Sequence, residues 1–194
     1  MYDFEGTPWE NVRSFDDLCE LTAQFLEGKI DGFTQTAIDD ETGGLAALLA
    51  KANRAGFLTD CSQPGDTGES WKQRAFVSGA ARENLAMRLY CLGLEYDLIT
   101  FVWPVMDPRY LRLVGCVNEN KEPCLWLGGG FGIEDYEALH PSVSRDLATC
   151  WSVEIVDPSW GRNDYLWPAL EAAISGSANN YSTENGVDGG GFVY

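Results

Sequence analysis

Apolar positions in the first third of the chain recur at helical spacing. Leu18, Phe25 and Leu26, with Thr22 among them, fall on one face of a helix that opens at Ser14, carries Asp16 and Asp17 in its first turn and stops at Gly28. Leu45, Leu48 and Leu49 mark a second amphipathic stretch after Asp39-Asp40-Glu41, with Lys51 and Arg54 in its last turns and Gly56 as its C-cap. The pattern then changes. Residues 57–63 read as a strand stopped by Pro64-Gly65, an order that suits the central positions of a type II turn. Residues 73–78 read as the next strand, followed by a helical run over 80–92 that ends at Gly93.

Three further strands are predicted at 98–105, 110–117 and 124–127, separated by Met106-Asp107-Pro108-Arg109 and Asn118-Glu119-Asn120-Lys121, and a meander is the simplest joining. Gly128-Gly129-Gly130 leads to a helix around 135–140 that resumes after Pro141, then a strand at 151–156 and a final helix at 167–174. The order of elements predicts an α+β fold, with a mixed or antiparallel sheet of about five to six strands and flanking helices. A length of 194 residues with 45% apolar content suits one core, so a single domain over 1–175 is expected. Residues 176–194 are rich in Gly, Ser and Asn and read as a flexible tail, whose apolar end Phe192-Val193-Tyr194 is available to dock on a neighbour. No internal repeat is visible.

Charge changes the picture more than composition does. Residues 1–60 hold twelve acidic side chains against four basic ones and residues 121–194 hold eleven against three, whereas 61–120 hold seven against six. The net charge of −17 disfavours direct contact with nucleic acid or a membrane surface. It leaves a basic protein, or a small anionic ligand gripped by the arginines of the middle third, as the partner classes. The start Met1-Tyr2-Asp3-Phe4-Glu5 has no basic, then apolar, signal pattern, and no apolar run approaches a membrane span, so a cytoplasmic location in a bacterium or in the bacterial host of a phage is expected. Cys19, Cys61, Cys91, Cys116, Cys124 and Cys150 are widely spaced with no Cys-x-x-Cys, which predicts buried free thiols and neither a disulfide framework nor a metal site. No motif calls for a cofactor.

The candidate chemistry falls at four places. Val77-Ser78-Gly79-Ala80-Ala81-Arg82 takes a strand into a helix with a cation in its first turn, where the helix dipole disfavours it. Ser78, Gly79 and Arg82 with Arg74 suit a phosphate or carboxylate, and the alternative is an ion pair between Arg82 and Glu83, Asp60 or another acid. In Thr59-Asp60-Cys61-Ser62-Gln63 alternation places Asp60 and Ser62 on one face and Thr59, Cys61 and Gln63 on the other, either lining a site or serving the turn. Asp157-Pro158-Ser159-Trp160-Gly161-Arg162-Asn163-Asp164 offers Trp160 and Arg162 to a planar ligand or partner, or shapes a tight turn. Asp39-Asp40-Glu41 presents oxygens for magnesium or is an acidic helix start. His140, the single histidine, reads as a helix-terminal cation, and Gly128-Gly129-Gly130-Phe131-Gly132 lacks the lysine of a phosphate loop.

The segments at 53–65 (NRAGFLTDCSQPG), 73–79 (QRAFVSG) and 157–163 (DPSWGRN), with Leu166-Trp167-Pro168, together resemble an uncharacterised domain family of actinobacteria and their phages. The resemblance implies a single domain of bacterial or phage origin and carries no catalytic role. With no catalytic set in view, the leading expectation is a non-enzymatic acidic binding protein, such as a phage or mobile-element inhibitor acting against host defence by occupying a nucleic-acid-binding surface. Asp16, Asp17 and Glu20 would be its docking face. The rival is a protein that binds or sequesters a nucleotide or other phosphorylated ligand through Asp60, Ser62, Gln63, Arg74, Ser78, Gly79, Arg82, Trp160 and Arg162. A third reading is a hydrolase-like enzyme using Asp60 or Cys61.

Overall fold

The computed structural model describes residues 4–33, 37–68, 72–106, 114–117, 122–129, 131–136 and 138–176. The stretch expected to form a tail lies outside them from residue 177 onward.

Helix α1 (Phe15–Leu26) starts where Ser14 accepts a hydrogen bond from the Asp17 N–H at 3.1 Å while the Asp17 carboxylate accepts from the Arg13 N–H at 2.9 Å. This reciprocal cap satisfies donors that a helix start leaves unpaired, and it holds the Asp17 carboxyl below its ordinary range. Phe15, Leu18, Ala23, Phe25 and Leu26 turn inward. The second amphipathic stretch is two helices, α2 (Asp40–Gly43) and α3 (Ala46–Arg54), broken at Gly44-Leu45. Gly56 closes α3 at φ +92, a conformation that glycine adopts without strain.

Strand β1 (Phe57–Gln63) follows, then β2 (Asp66–Thr67) and β3 (Lys72–Ala81). The helical run expected from Ala80 starts later, at α4 (Glu83–Glu95). Ala80 and Ala81 instead complete β3, buried between Leu58 and Phe57 of β1 and the start of the penultimate element. Gly93 lies inside α4 and does not end it. A Cβ there would stand 2.0 Å from Thr100 Oγ1, so glycine lets strand β4 (Ile99–Pro104) cross the helix closely. Strands β5 (Val114–Val117) and β6 (Pro123–Leu127) pair with each other. After a 3-10 turn at Ile133–Tyr136 come α5 (Pro141–Leu147), β7 (Trp151–Trp160) and α6 (Leu166–Ile174).

The main sheet runs β1-β3-β7-β4 with every neighbouring pair antiparallel, and β2 continues the β1 side of β3. The fold is α+β. The meander expected across β4, β5 and β6 holds for β5 and β6 alone, because β4 pairs with β7. Ala75, Val77, Val153 and Ile155 pack with Leu49, Leu85, Leu89, Leu166 and Leu170 of α3, α4 and α6 on one sheet face. On the other face Leu58 and Ala80 join Trp9, Phe15, Leu18, Val143 and Leu147. Fully buried side chains such as Phe15 and Phe57 each contribute about 1.5–3 kcal/mol by leaving water. No helix of the described residues is long and apolar enough to cross a membrane.

Candidate functional site

Between Thr59 and Cys61 the pairing of β1 with β3 slips by one residue. Thr59 faces Gly79 and Cys61 faces Ser78, so Asp60 is an extra residue in the edge strand, a β-bulge. Gly79 permits it: a Cβ at that position would stand 2.1 Å from the Leu58 carbonyl oxygen. The Ser78 hydroxyl donates to Asp60 Oδ1 at 2.5 Å and fixes the bulged side chain. The expected alternation therefore fails, because Thr59 and Cys61 oppose adjacent residues of β3 and fall on opposite faces.

Beside the bulge, β1, the C-terminal half of α1 and the start of α2 enclose a cleft of about 160 Å³. It is lined by the apolar Phe25, Leu26, Ile38 and Leu49 together with Thr22, Asp39, Thr42, Thr59, Asp60, Cys61 and Ser62. Asn53, wholly buried, positions this wall. Its amide nitrogen donates to Thr59 Oγ1 at 2.8 Å and to the Leu49 carbonyl at 2.9 Å, and its oxygen accepts from the Thr59 N–H at 3.2 Å. Since Thr59 Oγ1 accepts that bond, its own proton is directed elsewhere. Asp39 stands at the N-cap of α2 without a side-chain capping bond. Desolvation, and then the charges of Asp60 and Asp39, push the Cys61 thiol up, against a smaller opposing bond from the Ser62 backbone. The cleft thus disfavours added negative charge, and a thiolate nucleophile is disfavoured with it.

The three arginines expected to share a pocket lie at two ends of β3. Arg74 lays its guanidinium over the Trp160 ring at 3.5 Å and donates to the Pro158 carbonyl at 3.1 Å. Arg162 donates to the wholly buried Asp157 at 2.7 Å and covers the Tyr165 ring at 3.9 Å. Gln63 is at this end too, its amide donating to the Arg74 carbonyl at 2.9 Å. Arg82 is at the other end. It occupies the N-cap of α4 with extended backbone, outside the first turn, and pairs with Asp16 at 3.1 Å. Of the residues singled out in the sequence, Asp60, Ser62, Ser78 and Gly79 come together at the bulge, while Gln63, Arg74, Trp160 and Arg162 gather at the far turn.

The acidic face of α1 is internally engaged. Asp16 holds Arg82, Asp17 caps the helix, and Glu20 shares Arg54 with Glu27 at 3.0 and 2.6 Å. Arg54, assisted by Lys29, pushes the Glu27 carboxyl down to about 2. His140 is the N-cap of α5, with its Nδ1 3.3 Å from the Ser142 N–H and 2.8 Å from Ser142 Oγ. Cys19 and Cys150 are buried as expected, whereas Cys61 and Cys91 are exposed. The apolar residues of the sequence around a cysteine do not reveal which side of its element meets solvent. Among the described residues no group of three His, Cys, Asp or Glu side chains gathers to hold a metal.

Asp39, Thr22, Thr42 and Thr59 were not legible as members of one site. Their elements are adjacent only after folding, and the one local signal was the polar run beginning at Thr59. No curated protein matches the chain significantly. The family described as a domain of unknown function (DUF6919) matches residues 5–177, so the chain belongs to that family.

Proposed function

We propose that this chain is a non-enzymatic binding protein that docks on a basic partner protein, with the cleft beside the Asp60 bulge as its anchor point. The observation that carries the reading is the lining of that cleft: two carboxylates and four hydroxyls beside four apolar side chains, with no basic side chain among the described lining residues. Arg54 is committed to Glu20 and Glu27, and Arg82 to Asp16. The net charge of −17 would speed encounter with a basic surface and make the complex sensitive to salt. A phage or mobile-element inhibitor that covers a nucleic-acid-binding surface is the form of this reading that such a charge suits, in a bacterial cytoplasm. The test is a fluorescence-anisotropy titration with an octalysine peptide at 50 and 300 mM salt. The reading expects saturable binding that weakens with salt and is at least tenfold weaker for the double substitution Asp39→Asn, Asp60→Asn. Equal binding by wild type and double variant would overturn it.

A further inference from the structure

We infer that the outer edge of β4 is a docking surface for an extended segment of a basic protein, which adds a strand to the main sheet. This surface lies at the opposite sheet edge from the Asp60 bulge and is separate from the cleft. The first ground is the pattern of backbone bonds. β4 pairs with β7 in unbroken antiparallel register, from Ile99 facing Val156 to Pro104 facing Trp151, and the Val105 N–H extends the ladder by donating to the Cys150 carbonyl at 3.0 Å. In an antiparallel pair every second residue exchanges both of its bonds with the partner strand. Val105 sets the phase: Ile99, Phe101 and Trp103 bond toward β7, while Thr100 and Val102 turn N–H and C=O outward. Among the described residues nothing pairs with these outward groups. Unpaired backbone in this spacing is what an extended chain satisfies.

The second ground is the contrast between the two edges of the sheet. Edge strands are ordinarily blunted by bulges, charges or cover. β1 carries the bulge at Asp60 and packs against α1 and α2. β4 has no bulge and no charged side chain, and its one proline, Pro104, stands at the last position, past Thr100 and Val102. Apolar side chains are exposed at both ends of this edge, Ile99 at its start and Met106 just beyond it.

The third ground is charge. Glu95 and Asp97 lead into β4, both exposed, and among the described residues neither is held by a basic side chain. A segment with lysine or arginine beside its strand residues meets these carboxylates, and an antiparallel strand brings its C-terminal end to them. A second copy of this chain would instead bring the same two carboxylates and a further net charge of −17.

The experiment is amide hydrogen exchange followed by NMR in the full chain, with and without a blocked peptide of alternating threonine and valine that ends in two lysines. The Thr100 and Val102 amides should exchange fast in the free chain and at least tenfold more slowly with the peptide, while Phe101 and Trp103, bonded to β7, keep their protection. Val102→Pro removes an outward N–H and breaks no ladder bond, a change that edge strands tolerate. It should weaken peptide binding at least tenfold while the circular-dichroism spectrum is retained. The double substitution Glu95→Gln, Asp97→Asn leaves the backbone of the edge intact, Asn being at ease at the φ of +54 that Asp97 adopts, and should weaken binding at least threefold at low salt. Asp39→Asn, Asp60→Asn should leave this peptide's binding unchanged, so failure at the edge and failure of the cleft reading are told apart. Protected Thr100 and Val102 amides in the free chain, or peptide binding that survives both edge variants, overturns the inference. A dimer in sedimentation that Val102→Pro dissolves also overturns it, by making a second copy the occupant.

Discussion

Asn163 and Gly65 hold each other by two hydrogen bonds of 2.7 Å across a separation of 98 residues, Gly65 N–H to Asn163 Oδ1 and Asn163 Nδ2 to the Gly65 carbonyl. Trp167 Nε1 also donates to Asn163 Oδ1 at 3.0 Å, so a single amide ties the β1–β2 turn to the end of β7 and to α6. Gly65 does not adopt the positive φ of a type II turn. It is glycine because a Cβ would stand 2.7 Å from the Arg162 carbonyl oxygen. Asn163→Asp replaces a donor with a second acceptor facing the Gly65 carbonyl. It should destabilise the fold by about 1–3 kcal/mol, read as a lower urea midpoint at unchanged slope.

Gly79→Ala should be more damaging than the usual glycine-to-alanine change in a strand, which is favourable. The added methyl meets backbone, not a movable side-chain end, so β1 must shift and the Asp60 bulge with it. The expected cost is about 3 kcal/mol. The urea midpoint should fall accordingly, at unchanged slope.

Acid should weaken the α1–α3 contact. The Glu27 carboxyl is depressed to about 2, chiefly by Arg54, and Glu20 is lowered by the same guanidinium. A group with a depressed native pKa stabilises above its unfolded value, and this stabilisation fades as pH falls through the native value. The urea midpoint should therefore decline between pH 4.5 and 2. In Arg54→Gln the larger part of the decline due to these two groups should disappear, leaving a shallower slope over the same window.

Thiol labelling reports the potential in the cleft. Cys61 is exposed yet held protonated, so iodoacetamide at pH 8 should modify it more slowly than a short peptide carrying the same residues. Neutralising Asp39 and Asp60 together should speed its labelling several-fold, as followed by peptide mass mapping. Cys19, buried and pushed far up, and Cys150, raised to about 11, should stay unmodified until the protein unfolds.

Much of the fold was legible because local signals and tertiary contacts agree. Ser14 with Asp16 and Asp17 announces α1, and the 57–63 strand ends where its apolar start and the Pro64-Gly65 turn require. Misreadings occur where a distant neighbour decides. Ala80 and Ala81 suit a helix by propensity but are buried as strand by β1 and β7, and Gly93 is set by Thr100. The site was half legible. A polar run at 59–63 is visible, but the bulge depends on Gly79 of another strand, and Asp39 reaches the cleft only through the path of α2. Likewise no local pattern shows that Arg82 meets Asp16, 66 residues away.

The most direct measurement is a two-dimensional amide NMR titration of the labelled protein with the octalysine peptide. Occupation of the cleft predicts saturable shifts confined to Thr22, Ile38 to Thr42 and Thr59 to Ser62, absent in Asp39→Asn, Asp60→Asn. Shifts scattered over the acidic surface, or none at millimolar peptide, would contradict the assignment of this cleft as the anchor for a basic partner.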